Sequence, residues 1–356
     1  TGANTNPELQ RLQEAVAPRL AATEDAIYLN SKLFERVDTL YQQRDRLQLD
    51  SESLRLLEYY EQQFEMAGAK LTNSGKEELK KLNQEEASLK AQFTNRLLAA
   101  TRAGALVVSD SAALAGLPSG TVESAAQKAK ADQLSGKWVI SLQNTTQQPD
   151  LKFFSNRDTR QKLFEASWNR AEKKDTNDTR DLIIKLARLR AQKAKLLGFH
   201  NYAGWSLQNQ MAKTPEAVNQ FLNKLIPAAT ARAREEAVAI QALIDKQKGG
   251  FSLQPWDWNF YADQVRKAKY DLDENQVKPY FELNTVLQKG VFYAAELLYG
   301  LTFKPRTDIP VYQPDVKVFE VFDQDGKSLA LFYCDYFKRD NKSGGAWMDN
   351  LVVQSK

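Results

Sequence analysis

Histidine and cysteine are almost absent, with His200 and Cys334 the only representatives of each in 356 residues. A lone cysteine closes no internal disulfide, which excludes a disulfide-stapled secreted scaffold and fits a reducing compartment. A hydrolytic zinc site takes three protein ligands, usually His with a carboxylate or Cys, and keeps one position open for water. One histidine falls short of that, and no His-Glu-x-x-His pair occurs. The same shortage removes the base from a nucleophilic triad, and no Gly-x-Ser-x-Gly elbow is present. No apolar run approaches the ~18 residues that span a bilayer, so a membrane partner is not expected. Neither sign of charge dominates: 49 Lys and Arg stand against 45 Asp and Glu, interleaved along the chain. Without a basic arm, nucleic acid is not an expected partner. Thr1 to Asn6 is polar and leads at Pro7 into an amphipathic pattern, so no leader is recognised and the expected compartment is the cytoplasm.

What is present is helix after helix. With 42% hydrophobic residues, the chain is long enough for two cores. Apolar residues recur at spacings of three and four: Leu9, Leu12, Val16 and Leu20 form one stripe, Ile27, Phe34, Val37 and Leu40 a second, and Leu54, Leu57 and Phe64 a third that stops at Gly68. A long helix is expected from Ser74 to near Gly104. Leu106–Val108 and Trp138–Ile140 read as short strands around a helical insert, and Asn144–Pro149 as a loop. Helices follow over about 158–171, 179–197 and 214–246. The last opens on Thr214-Pro215-Glu216, which combines an N-cap, a first-turn proline and an acid, and it stops at Lys248-Gly249-Gly250. Further helices are expected over 259–269 and 283–299. Beyond Leu301 the pattern turns to strand: Val316, Val318 and Val321 lead into the turn Asp323–Gly326, and Leu329, Leu331 and Tyr333 alternate on the return.

Few residues outside this pattern carry chemistry. His200 lies in a helix-to-helix connection and reads as a structural loop residue that caps or bonds a neighbouring helix. Cys334 reads as a small buried side chain. The pairs Glu85–Glu86 and Glu235–Glu236 read as solvated or i,i+4-paired acids on helix faces. Trp256, Trp258, Phe260 and Tyr261 form an aromatic run suited to packing, with stacking on a ligand as the alternative. Asp340–Gly345 lacks the spacing of a phosphate-cradling loop.

Three stretches together resemble the thimet-oligopeptidase group of zinc metallopeptidases, and within it the bacterial peptidyl-dipeptidases. They are Gln254–Tyr261 (QPWDWNFY) with its continuation to Leu283, Leu329–Tyr333 (LALFY), and Tyr336–Met348 (YFKRDNKSGGAWM). Asn144–Pro149, Trp168–Glu172 and Gln210–Glu216 add to the likeness. The resemblance implies a mainly α, multi-helix fold of two subdomains flanking a deep channel, with a small β-sheet in the C-terminal part. It implies a division in which 1–71 and 265–356 belong to the catalytic half and 72–264 to the opposing wall. The substrates would be short unfolded peptides, cut two residues from a free C-terminus with one zinc ion. In the group, the zinc helix follows the segment matching Ala346–Met348, and a glutamate ligand comes later still. This sequence reaches Lys356 without either, so the chain is expected to be an internal piece that binds no zinc, is inactive alone and is prone to self-association. An extended substrate in such enzymes lies against an exposed strand edge, here assigned to Gly345, Ala346 and Trp347. The competing reading of these residues is that Gly344 and Gly345 turn the chain and Trp347 fills a core. A non-catalytic peptide-binding protein derived from the group is the alternative function.

Overall fold

The computed structural model describes residues 2–142, 148–271 and 274–348. The fold is mainly α with two small sheets. In chain order the helices are α1 (Pro7–Tyr28), α2 (Ser31–Gln42), α3 (Ser51–Met66), α4 (Asn73–Ala103), α5 (Ser119–Ala131), α6 (Arg157–Trp168), α7 (Arg180–Leu196), α8 (Tyr202–Ser206), α9 (Pro215–Lys246), α10 (Trp258–Tyr270), α11 (Glu274–Val277), α12 (Leu283–Val286) and α13 (Tyr293–Tyr299). The strands are β1 (Leu106–Val108), β2 (Trp138–Ile140), β3 (Thr302–Pro305), β4 (Lys317–Phe322) and β5 (Ser328–Cys334). The chain divides into two compact units: one holds 1–5, 104–168 and 236–356, the other 6–103 and 169–235.

In the second unit α4 packs on α1 and α7, and Leu89 on α4 meets Leu182, Leu186 and Leu189 on α7. Of the stripe expected to bury α1, Val16 is half-buried but Leu9, Leu12 and Leu20 face outward, at 37%, 56% and 61% exposure. The covered face of α1 mixes Val16, Ala17 and Ala21 with polar residues: Asn95 of α4 donates to Glu14 at 2.8 Å, and Asn83 of α4 donates to the buried Asp25 at 2.6 Å. Hydrophobic spacing therefore identified the helix but not its buried side. The second expected stripe is split, because Asn30 breaks the chain after Leu29 and caps α2 by accepting from the Leu33 amide. Ile27 consequently lies on α1 and is exposed, whereas Phe34 is buried against Phe64 and Ala69. Gly68 stops α3 at φ +96°, where a Cβ would meet Leu79, Leu197 and Leu71 within 3.0 Å.

In the other unit, β1 and β2 pair antiparallel as expected. Of the loop placed at Asn144–Pro149, residues 144–147 lie outside the described residues, and Pro149 opens a 3-10 turn. The Leu283–Tyr299 helix forms, with a π-helical stretch at Leu287–Phe292 between α12 and α13. Strands β3, β4 and β5 form an antiparallel sheet in that order. Its covered face packs Phe319 and Phe303 against Phe292, whose ring stacks on Phe303 at 4.0 Å. The expected β4–β5 turn is closed by Gly326 donating to Asp323 at 2.9 Å. Leu329 and Leu331 lie on the opposite sheet face and are exposed.

Candidate peptide-binding segment

The segment that would meet a peptide leaves β5 at Cys334, which is buried, and its thiol is pushed up by that burial. Burial also raises the neighbouring Tyr336 hydroxyl to about 12, together with its hydrogen bond to Cys334. The loop after it is organised by Asp335. Its carboxylate accepts from Arg339 at 2.8 and 2.7 Å and from the Tyr312 hydroxyl at 2.9 Å, and Lys342 Nζ lies 3.0 Å away. Arg339 above all, joined by Lys342 and Tyr312, holds the Asp335 carboxyl well below the usual carboxylate range against the opposing effect of burial. An acid held by three donors is a poor proton acceptor, so the cluster restrains the loop rather than supplying a base. Lys342 is itself buried and donates to the carbonyls of Asp335 at 2.7 Å and Phe337 at 3.1 Å. Asp340 pairs with Lys128 of α5 at 2.8 Å.

Beyond this loop Gly344, Gly345, Ala346, Trp347 and Met348 are all exposed. Gly345 has φ +104°, a conformation that favours glycine, and its Cα faces open space. Trp347 is half exposed, with Lys342 Nζ 5.9 Å from its ring. Among the described residues, 344–348 joins neither sheet. The sequence singles out this segment through resemblance but not its support, since Arg339 and Asn341 also reach Ala3, Asn4 and Thr5, more than 330 residues away.

The remaining expectations fall mainly into structural roles. His200 is exposed, and the residue that caps α8 is its neighbour Asn201, which accepts from the Gly204 amide at 2.9 Å. Glu86 has the expected i,i+4 pairing, with Lys90 at 3.0 Å, but it is not solvated: it is buried and also binds Lys193 at 2.6 Å and Arg190 at 3.0 Å from α7. Burial pushes its carboxyl up, but Lys193, Lys90 and Arg190 outweigh that and bring it down to about 2. Glu235 and Glu236 are exposed, as expected. The aromatic run packs: Tyr261 is buried with Ile240 and Ile244, while Asp257, set within the run, is fully buried between Arg157 and Arg160.

A zinc ion needs convergent ligands, and among the described residues no three or more of His, Cys, Asp and Glu converge to hold a metal.

Residues 151–356 match peptidase family M3. Over 355 residues the chain is 57% identical to dipeptidyl carboxypeptidase of Escherichia coli K12, an alignment covering 100% of this chain and 52% of that protein. Identity to the dipeptidyl carboxypeptidase of Salmonella typhimurium is 54% with the same coverage. Oligopeptidase A of Escherichia coli is 29% identical over 99% of this chain and 52% of its own length. The chain thus spans about half the length of these curated relatives. The family match covers more than half of the 356 residues, and the likeness to the two carboxypeptidases runs the length of the chain, so this chain belongs to peptidase family M3.

Proposed function

We propose that this chain is the peptide-channel part of a cytoplasmic zinc peptidyl-dipeptidase, which releases C-terminal dipeptides from short unfolded peptides. In this reading 72–264 forms one channel wall, while 1–71 and 265–356 belong to the catalytic half. The zinc ligands and the general base lie outside these 356 residues, and the chain alone is inactive. The observation that carries the reading is the 57% identity along the whole chain to a dipeptidyl carboxypeptidase. Gly345, Ala346 and Trp347 serve as the edge against which the substrate backbone lies. A backbone-paired peptide is held without its sequence being read, which suits an enzyme acting on many peptides.

The test is to join the chain in register to the remaining C-terminal part of the Escherichia coli relative and assay release of dipeptides. Ala346→Pro, which removes one backbone donor, is expected to raise KM by about tenfold. Unchanged turnover in that variant rejects the backbone-pairing role. Stoichiometric zinc bound to the 356-residue chain alone would overturn the assignment of the ligands elsewhere. The lone histidine favours one second reading, a non-catalytic peptide-binding member of the family. Its mark would be peptide binding with no in-frame His-Glu-x-x-His beyond Lys356.

A further inference from the structure

We infer that the Gly2–Thr5 segment, clamped by Asn341, is a positioning element for the peptide-binding edge at Gly345–Trp347. The inference rests on the proposed role of that edge. The two stretches lie side by side in opposite directions: Ser343 donates its amide to the Gly2 carbonyl at 2.9 Å, and Thr5 donates to the Asn341 carbonyl at 3.1 Å. Side chains reinforce the pairing. Asn341 Nδ2 donates to the Thr5 carbonyl at 3.0 Å and to the Asn4 side chain. Arg339 donates to the Ala3 carbonyl at 2.9 Å, and Asn4 donates to the Tyr312 carbonyl at 2.9 Å. Thr5 is buried at 7% exposure, so the segment is packed as well as bonded.

Two glycines directly after Ser343 create the need for such a clamp. Gly344 and Gly345 are consecutive, and glycine has more backbone freedom to lose than any other residue. An edge that binds peptide through its backbone must already hold its amides and carbonyls in register, or ordering them weakens every binding event. Asn341–Ser343 is fixed immediately before the two glycines. Lys342, locked onto Asp335, lies near the Trp347 ring just after them. In this inference the clamp acts through the edge, as a positioning element.

The test uses the full-length zinc enzyme that carries this sequence, with Asn341→Ala, Asn4→Ala and the double variant, and Ala346→Pro as the control on the edge itself. Asn341→Ala is expected to raise KM about five- to tenfold while kcat stays within about twofold, the pattern of lost uniform binding. The double variant should be no worse than the more impaired single variant, because both residues serve one clamp. Hydrogen exchange of the Thr5 and Ser343 amides in the 356-residue chain should accelerate together while β4 and β5 stay protected. An unchanged KM in Asn341→Ala beside a raised KM in Ala346→Pro overturns the clamp alone. A fall in kcat at constant KM, tracking the unfolded fraction, also overturns it in favour of a purely structural role. If instead Ala346→Pro leaves turnover intact, the edge reading fails, and the role given to the clamp fails with it.

Discussion

Asp257 and Asp335 are each the centre of an ion cluster, yet the two clusters hold different things. Asp257 is fully buried and draws on residues about 100 positions away: Arg157 binds it through Nε and Nη2 at 3.0 and 2.8 Å, and Arg160 at 3.0 Å. Both guanidinium groups lie over aromatic rings, Arg157 on Phe251 at 4.0 Å and Arg160 on Phe260 at 4.2 Å. The cluster ties α6 to the turn before α10. Asp335 instead takes both its cations, Arg339 and Lys342, from within eight residues, with the Tyr312 hydroxyl joining from 23 positions away, and its ion pairs fold a loop back on itself. A buried charge that spans the sequence fixes a fold, whereas one satisfied by its near neighbours shapes a segment.

The largest expected effect sharpens that contrast. Asp257→Ala leaves two arginines without their carboxylate, one of them fully buried, and should destabilise the protein by ~3–5 kcal/mol in urea unfolding. A loss below about 1 kcal/mol would break the distinction. Glu86 is a cluster of the Asp257 kind in the other unit, and acid should expose it. Its folded pKa of about 2 lies below the ordinary value of 4.5, so the stability it contributes is complete above about pH 4.5 and is lost as pH falls through 2. Glu86→Gln should flatten stability against pH over that window in circular-dichroism titrations.

Asp25 gives the smallest effect, with the opposite sign. Burial raises its carboxyl above the ordinary range, and among the described residues its Oδ2 has no partner. A raised folded pKa means that the ionised form is disfavoured on folding, so this site destabilises the protein at neutral pH, and the effect fades as pH falls from its folded value and is gone below the ordinary 3.8. Asp25→Asn keeps an acceptor for Asn83 and should raise stability by ~1 kcal/mol at pH 7. A decrease would show that the charge is compensated by the coulombic pull of Lys193 and Lys80.

The elements themselves were legible wherever the determining interaction is local. Thr214 caps α9 through the Ala217 amide, Gly68 and Gly250 take positive φ, and Asp323–Gly326 closes its hairpin, because each depends on residues within about five positions. Burial was less legible. Leu9, Leu12 and Leu20 carry a helical stripe, but the α1 face that packs holds Val16, Ala17 and Ala21 together with Glu14 and Asp25, which Asn95 and Asn83 of α4 bind. Glu86 and Asp257 look like ordinary charged residues in sequence, and only their arginine and lysine partners make their burial tolerable.

The candidate site divides in the same way. The sequence by itself determined the family resemblance, the shortage of zinc ligands and the Gly344–Gly345 pair that precedes Ala346, since all three are properties of residue identity and spacing. Only the tertiary structure decided that Gly2–Thr5 lies against Asn341–Ser343, because hydrogen bonds between segments more than 330 residues apart exist only after the intervening chain has folded.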